Sequence, residues 1–344
     1  MRPPNQRELA LEGGVIVGVE PDGQTVTVTG KPPFVYDVAF PMGVTQLGVF
    51  EKIGVDIVQC AYHGFNASMF AYGQTSSGKS FSMMGVRGTS LVGLIPRIAN
   101  LLFFVVANTP EHNFFVEASF LEIYNEKLRD LLDKTGTDDL KVRESPQLGV
   151  HVSGLSRHPI TSAESVEKII DDGTSNRTVA ATKYNSESSR SHAVFEMNMQ
   201  HKFLDKLSGE EMQSKVKIAL IDLAGSERSD KLGSVGKALQ EGNNINKSLT
   251  VLGRCIKALV EKANGKNTQV PFRESVLTWY LRESLAGNAR TTMLAAGSPA
   301  GSNEEETLST HRYAASAKQI KTEAKKSEDP LKAKVREHTM RSAM

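Results

Sequence analysis

Long hydrophobic runs are missing from this 344-residue sequence. Nothing approaches the roughly 18 consecutive apolar residues of a membrane-spanning helix, so a span and a membrane contact of that kind are excluded. The opening residues Met1-Arg-Pro-Pro-Asn-Gln-Arg-Glu8 have no apolar core, which argues against a secretory leader. Cysteine is scarce, with Cys60 and Cys255 as the only two. They cannot build a disulfide framework; they suit a reducing compartment, where isolated thiols read as buried core residues. A dominant charge is also lacking. The 41 Lys/Arg and 39 Asp/Glu leave a net charge of +2, which argues against a general nucleic-acid binder. The small excess sits at one end, since eight Lys/Arg face four Asp/Glu from Ala317 onward. A charged run of this kind reads first as a solvated segment and identifies no partner alone. Internal repeats and low-complexity linkers are absent.

What remains is ordinary globular material, 39% hydrophobic and 23% charged, long enough for one large α/β domain. Val15–Val19 and Thr25–Thr29 flank Pro21-Asp22-Gly23 and predict a β-hairpin. Val49, Ile53, Ile57 and Cys60 recur at helical spacing. Ala67–Tyr72, Phe114–Tyr124, Lys217–Leu223 and Thr291–Ala296 read as strands, the third of them buried and central. Leu249, Leu252, Ile256 and Leu259 mark a helix that ends near Asn264-Gly265. Strands and helices alternating at these lengths predict a mostly parallel central sheet with helices on both faces. One domain fits, followed by a tail from about Ile320.

The strongest chemical signal is Gly73-Gln74-Thr75-Ser76-Ser77-Gly78-Lys79-Ser80, which matches G-x-x-x-x-G-K-[ST] without a gap, behind an apolar strand and ahead of a helix start. Such a loop turns backbone N–H groups toward phosphate oxygens, and the helix N-terminus adds positive potential. Lys79 is placed to reach the β- and γ-phosphates and Ser80 to give a hydroxyl to Mg²⁺. Asp222-Leu-Ala-Gly225 ends a buried strand, where a carboxylate near Mg²⁺ would stand. Asn185-Ser-Glu-Ser-Ser-Arg-Ser-His192 packs four serines and an arginine into eight residues. Alone that is a polar loop; beside a phosphate loop and a strand-terminal Asp, it reads as hydroxyls for a metal or a γ-phosphate.

Together these segments resemble the kinesin motor domain. The resemblance rests on GQTSSGKS at Gly73–Ser80, NSESSRSH at Asn185–His192, DLAGSER at Asp222–Arg228, FLEIYNEKLRDLL at Phe120–Leu132 and VPFRESVLTWYL at Val270–Leu281. They stand in the family's order and cover residues 1 to about 320. Met83-Met84-Gly85, Asn176–Thr182, Leu277–Trp279 and Glu328–Pro330 look most like the kinesin-three transport subfamily, while Thr-Ser-Ser in the phosphate loop looks more like conventional kinesin.

The resemblance implies a P-loop NTPase fold, with residues 1–319 as the motor domain and 320–344 as neck linker and start of neck. It implies a microtubule-stimulated ATPase that uses ATP and Mg²⁺, moves along microtubules toward the plus end, and works in the cytoplasm on the cytoskeleton, with dimerisation left to regions outside this chain. Arg2 and Pro3 match the end of the adenine motif R-x-R-P, and Phe81 stands where the family sets a ring against the base. Ser188 and Ser189 match the switch I serines at the γ-phosphate and Mg²⁺, with Asp222 behind the metal's waters. Arg190 and Glu227 match the pair that bridges the two switches, Glu227 relaying a proton from the attacking water. Gly225 matches the switch II glycine whose N–H meets the γ-phosphate, a hydrogen bond that hydrolysis breaks.

The acidic microtubule would be met by Lys237, Lys247, Arg254 and Lys257, then Lys262, Lys266 and Arg273, of which Arg273 in P-F-R-E-S is the surest. Glu261–Gln269 holds only two lysines, so tethering through that segment is expected to be weaker than in a lysine-rich relative.

Two departures stand out. The chain opens at Met1-Arg2-Pro3, inside a strand that the family begins with several apolar residues, which points to a truncated gene model or a fragment. The candidate neck, Ile320–Pro330, offers Ile320 and Ala324 as its only apolar side chains before the proline and has no asparagine latch, so it is expected to lie off the core. Two other readings fail on the residues: a GTPase needs N-K-x-D, but Asn246-Lys247 runs into Ser248-Leu249, and a non-hydrolysing scaffold would show damaged switches.

Overall fold

The computed structural model describes residues 1–11, 13–133, 140–145, 148–184, 188–204, 209, 211–227 and 237–327. Helix α1 (Gln6–Ala10) is followed by strands β1 (Val17–Val19), β2 (Thr25–Val28) and β3 (Phe34–Val35), which form a small antiparallel sheet. The expected hairpin is there. Asp22 Oδ1 accepts from the N–H groups of Gln24 and Thr25 at 2.9 Å each, and Gly23 takes φ +66°, which glycine adopts without a Cβ penalty. Helix α2 (Gln46–Val49), a π turn over Phe50–Gly54 and α3 (Val55–Tyr62) form the continuous helical stretch that the spacing predicts. The turn widens where the Phe50 ring lies against Gly54.

The rest of the chain runs β4 (Ala67–Tyr72), α4 (Lys79–Met83), α5 (Leu94–Ala107), β5 (Asn113–Tyr124), β6 (Lys127–Asp130), β7 (Lys141–Ser145), β8 (Gly149–Ser153), β9 (His158–Ile160), α6 (Ala163–Tyr184), β10 (His192–Leu204), β11 (Glu211–Asp222), α7 (Lys237–Ala263), α8 (Val276–Tyr280), α9 (Arg282–Ala286), β12 (Arg290–Ala295) and α10 (Glu304–Ala317). Strands β7 and β8 form a separate hairpin. The central sheet has seven strands in the order β12-β4-β11-β10-β5-β6, with β9 also on β5.

Helices cover both faces, as expected. Along β4, Met69 and Ala71 enter the core under α3, α5 and α6, while Phe70 and Tyr72 enter the core under α7 and α8, the period-two alternation of a strand buried on both sides. Leu249, Leu252, Ile256 and Leu259 of α7 are all buried there, and Lys247, Thr250, Arg254 and Lys257 form its exposed stripe.

The expectation of a mostly parallel sheet is corrected. Only β12–β4 and β4–β11 pair in parallel; β11–β10, β10–β5, β5–β6 and β5–β9 are antiparallel. The alternation rule fails because β10 and β11, long neighbours in sequence, pair directly without a crossover helix. The parallel trio still decides function. It aligns the carboxyl ends of β4, β11 and β12, the edge where open α/β sheets bind ligands.

The tail also differs from expectation. Residues 321–327 cross the opposite edge, at the starts of those three strands. The Ser327 N–H donates to Gly64 O at 2.8 Å, the Lys215 N–H donates to Ser327 Oγ at 3.3 Å, and the Lys325 N–H donates to Asn288 Oδ1. Two backbone N–H groups and the Ser327 hydroxyl seat a segment whose polar composition predicted no attachment. Residues 328–344, including Glu328–Pro330, lie outside the described residues.

Candidate nucleotide site and partner-facing surface

The loop Gly73–Ser80 leaves β4 at its carboxyl end and turns into α4. Gly73 and Gly78 hold φ +149° and +102°. A Cβ on Gly73 would run into the carbonyl oxygen of Ala296, whereas nothing lies within 4 Å of where one would stand on Gly78. The first glycine therefore lets the loop pass β12, and the second leaves its backbone approachable from outside.

Lys79 Nζ is buried and donates to the loop carbonyls Gly73 O and Gln74 O at 2.8 Å each. Burial lowers its pKa, against the pull of Asp222 and Glu227. Ser80 Oγ donates to Asp222 Oδ2. The register pairs Asp222 with Ala71, so the strand-end carboxylate stands beside the loop, and burial raises its pKa. Asp222 Oδ1, Ser77 Oγ and Gln74 Oε1 are buried with no partner. A lysine folded onto its own loop, a hydroxyl–carboxylate pair and orphaned polar atoms around one loop fit Mg²⁺ and a polyphosphate.

The segments named from the sequence meet here. The two carboxylate oxygens of Glu227 accept from the Thr75 N–H, at 2.7 Å, and from the Thr75 hydroxyl. The Gly225 N–H donates to Ser189 O at 2.8 Å, and the Ser226 N–H donates to Gly73 O at 3.1 Å. A Cβ on Gly225 would collide with Thr75 Oγ1 and the Glu227 carboxylate, which is why this position takes glycine. Ser188, Ser189 and Arg190 form a 3₁₀ turn just before β10. The side chain of Ser188 and residues 185–187 lie outside what is described.

Arg2, Pro3 and Phe81 line a cavity of about 620 Å³ together with Ser77 and Gly78 of the loop. The Phe81 ring is 47% exposed, open for stacking. Arg2 Nε donates to Ser76 O at 2.7 Å, and its guanidinium grips Glu8 at 2.5 and 2.6 Å. This pair holds the Glu8 carboxyl at about 2, so it stays ionised.

Sequence reasoning missed three supports. Glu8 is one. The second is Arg177, which binds buried Glu122 at 3.1 Å and donates to Ser191 O and Oγ at 3.1 and 2.9 Å, fixing the chain just after Arg190. Arg177 and Glu122 both fall inside family-like segments, but without an assigned role. The third is His192. Its Nδ1 accepts from the Ala224 N–H at 3.0 Å, which fixes the proton on Nε2, and Nε2 donates to Ser248 Oγ at 2.9 Å. One neutral imidazole thus joins β10, the loop after β11 and α7.

Burial, with the nearby charges of Arg177 and Lys79, pushes His192 down to about 3. Burial pushes His201, stacked on Phe114 and bonded to His112 at 2.7 Å, and His311 down to about 4 each. The ordinary histidine value is 6.5. The unfolded chain therefore takes up protons first as pH falls below that value, and folding stability is lost progressively on the way to about pH 4. At pH 5 each group is expected to have cost about 2 kcal/mol relative to neutral pH. Urea midpoints at neutral pH and at pH 5 measure it; His201→Phe should flatten the profile, and an unchanged slope in that variant would show that His201 does not carry it.

The basic candidates divide. Lys247 and Lys257 are exposed on α7, and the side chain of Lys237 lies outside what is described. Arg254 forms a two-pronged pair with Glu274. Arg273 is 72% exposed and lies over the Trp279 ring, 5.2 Å from its centroid.

Fold and site are those of a P-loop nucleoside triphosphatase whose loop is closed by two flanking segments. The kinesin motor domain model matches residues 1–320. The chain is 46% identical to mouse kinesin-like protein KIF13A over 360 aligned residues, covering 98% of this chain and 20% of that protein, and 43% identical to Caenorhabditis elegans kinesin-like protein unc-104, covering 98% and 22%. It spans about a fifth of the length of these relatives. A solved structure of a fast kinesin superposes with a TM-score of 0.88 at 38% identity, covering 96% of this chain and 92% of that one. A KIF14 dimer bound to a microtubule with AMP-PNP superposes with a TM-score of 0.86 at 41% identity, covering 96% and 94%. The chain belongs to the kinesin motor domain family.

Proposed function

We propose that this chain is the head of a microtubule-stimulated ATPase that couples ATP hydrolysis to movement along microtubules, toward the plus end, in the cytoplasm. The observation that carries the reading is the junction at the phosphate loop, where Glu227 rests on Thr75 and the Gly225 N–H on Ser189. Residues that report on a nucleotide are already in contact with the loop that would hold it. Residues 1–319 act as the motor domain, 320–344 as neck linker and start of neck, and dimerisation belongs to regions outside this chain.

Bound Mg²⁺ and ATP would bring the transferable phosphoryl group and a cation that offsets its charge. Lys79 and the loop N–H groups would grip the phosphates. Ser80 and Ser189 would ligate the metal, Asp222 would orient its waters, and Arg2, Pro3 and Phe81 would frame the base. Released from the Thr75 N–H, Glu227 would be free to pair with Arg190 and to accept a proton from the attacking water. ATP turnover with and without microtubules tests the proposal; absence of microtubule stimulation sinks it.

The exposed stripe of α7 and the segment around Arg273 form the face for the acidic track. Arg273→Ala is expected to weaken microtubule binding several-fold at low salt, and more than it changes basal turnover, because the residue lies outside the nucleotide site. Cosedimentation across salt concentrations reads this, and equal affinity at low salt would make Arg273 a solvated charge only.

A further inference from the structure

The partner-facing surface carries its own acid. Glu144, on β7, accepts from Arg282 Nη1 at 2.8 Å and from Arg273 Nη2 at 3.3 Å. Glu274, next in sequence to Arg273, takes Arg254 in the two-pronged pair. Three arginines on this face therefore each carry a carboxylate of the same chain, and one of those carboxylates is shared by two of them. The two guanidinium groups hold the Glu144 carboxyl below the usual carboxylate range, so it is charged at neutral pH.

Glu144 is not what aims Arg273. The guanidinium lies over the Trp279 ring, and that ring stands on a fixed shelf. Ser275 caps α8 by accepting from the Leu277 N–H at 3.2 Å. Glu126, in the tight turn between β5 and β6, accepts from Ser275 Oγ at 3.0 Å and from the Val276 N–H at 2.9 Å. The stacking gives Arg273 a support that does not pass through the carboxylate. Glu144 thus acts on this surface mainly as a negative charge.

We infer that Glu144 is a built-in counter-charge that competes with the acidic partner surface for Arg273 and Arg282, and so sets the strength and salt dependence of binding. The inference rests on the reading that this face meets the microtubule. Exposed ion pairs contribute little, so a partner carboxylate replaces Glu144 on either arginine at small cost. The displaced charge remains at the interface and repels the partner, most strongly at low ionic strength.

The test is Glu144→Gln, which keeps shape and hydrogen bonding and removes the charge, measured by cosedimentation with microtubules in a non-hydrolysable ATP analogue at several salt concentrations. Affinity at low salt is expected to rise on the order of fivefold, with the gain shrinking as salt is raised. In an Arg273→Ala background the same substitution should give a clearly smaller gain, since one of the two unmasked groups is gone. An unchanged melting curve shows that each variant is folded. Equal or weaker binding by Glu144→Gln, or a gain of the same size without Arg273, overturns the inference. A parent chain that fails to sediment at all overturns the track reading itself.

Discussion

Glu227→Ala should bind ATP and turn it over about 10²-fold or more slowly, the scale of a missing proton-transfer path. Two carboxylates touch the phosphate loop from outside it, Asp222 at Ser80 and Glu227 with both oxygens on Thr75. Asp222 accepts from Ser80 through Oδ2, and the proposed mechanism gives it the metal's waters, which leaves the proton path to Glu227. Truncation leaves Lys79, Ser80 and the loop amides in place and frees the Thr75 N–H for phosphate. Nucleotide affinity is therefore expected to hold or to tighten while the chemical step slows. Binding of a fluorescent ATP analogue and steady-state turnover with microtubules separate the two effects. Turnover within about twofold of the parent would remove Glu227 from the proton path.

An apolar strand added ahead of Met1 should raise the melting temperature by roughly 3–6 °C. Strand β12 pairs with β4 on one side and, among the described residues, with no strand on the other. Its half-buried residues border the same cavity of about 620 Å³ that reaches the loop, lined along this stretch by Val49, Ile53, Leu285, Met293, Ala314 and Ala317. Met1 lines it too, and its amino group donates to Phe40 O at 2.9 Å, so an added segment would enter directly. About five ladder hydrogen bonds at about 1 kcal/mol each and about three buried aliphatic side chains at about 1.5–3 kcal/mol each oppose an ordering cost of about 1–2 kcal/mol for each of about six residues. The balance is a few kcal/mol in favour of the strand, and each kcal/mol moves the melting point by about 1–2 °C in a chain this large. An extension of the same length that alternates Ser and Asp is the control. A melting point that does not respond to the apolar extension would show that β12 and the cavity do not accept a strand.

The sequence by itself marked the candidate nucleotide site and the apolar faces on the two sides of the central sheet. Gly73–Ser80 is legible because phosphate binding needs contiguous residues at fixed spacing, and a local loop carries that spacing in one dimension. The stripes of α7 and the alternation along β4 are legible for the same reason, since helix and strand periods are properties of the local backbone. Tertiary structure alone decided the strand directions. The pairing of β10 with β11 depends on the register of two long strands, and apolar content does not specify whether neighbours run together or opposed. It also decided the partners of single charges. Nothing in the sequence joins Glu227 to Thr75, 152 residues away, Arg177 to Glu122, or Glu144 to Arg273, because each pair closes only after the sheet has brought distant segments within hydrogen-bond reach. The same holds for the tail. Its polar side chains predicted no attachment, yet besides the Ser327 hydroxyl the backbone N–H groups of Ser327 and Lys325 hold it, and every residue except proline possesses such a group, which side-chain patterns do not reveal.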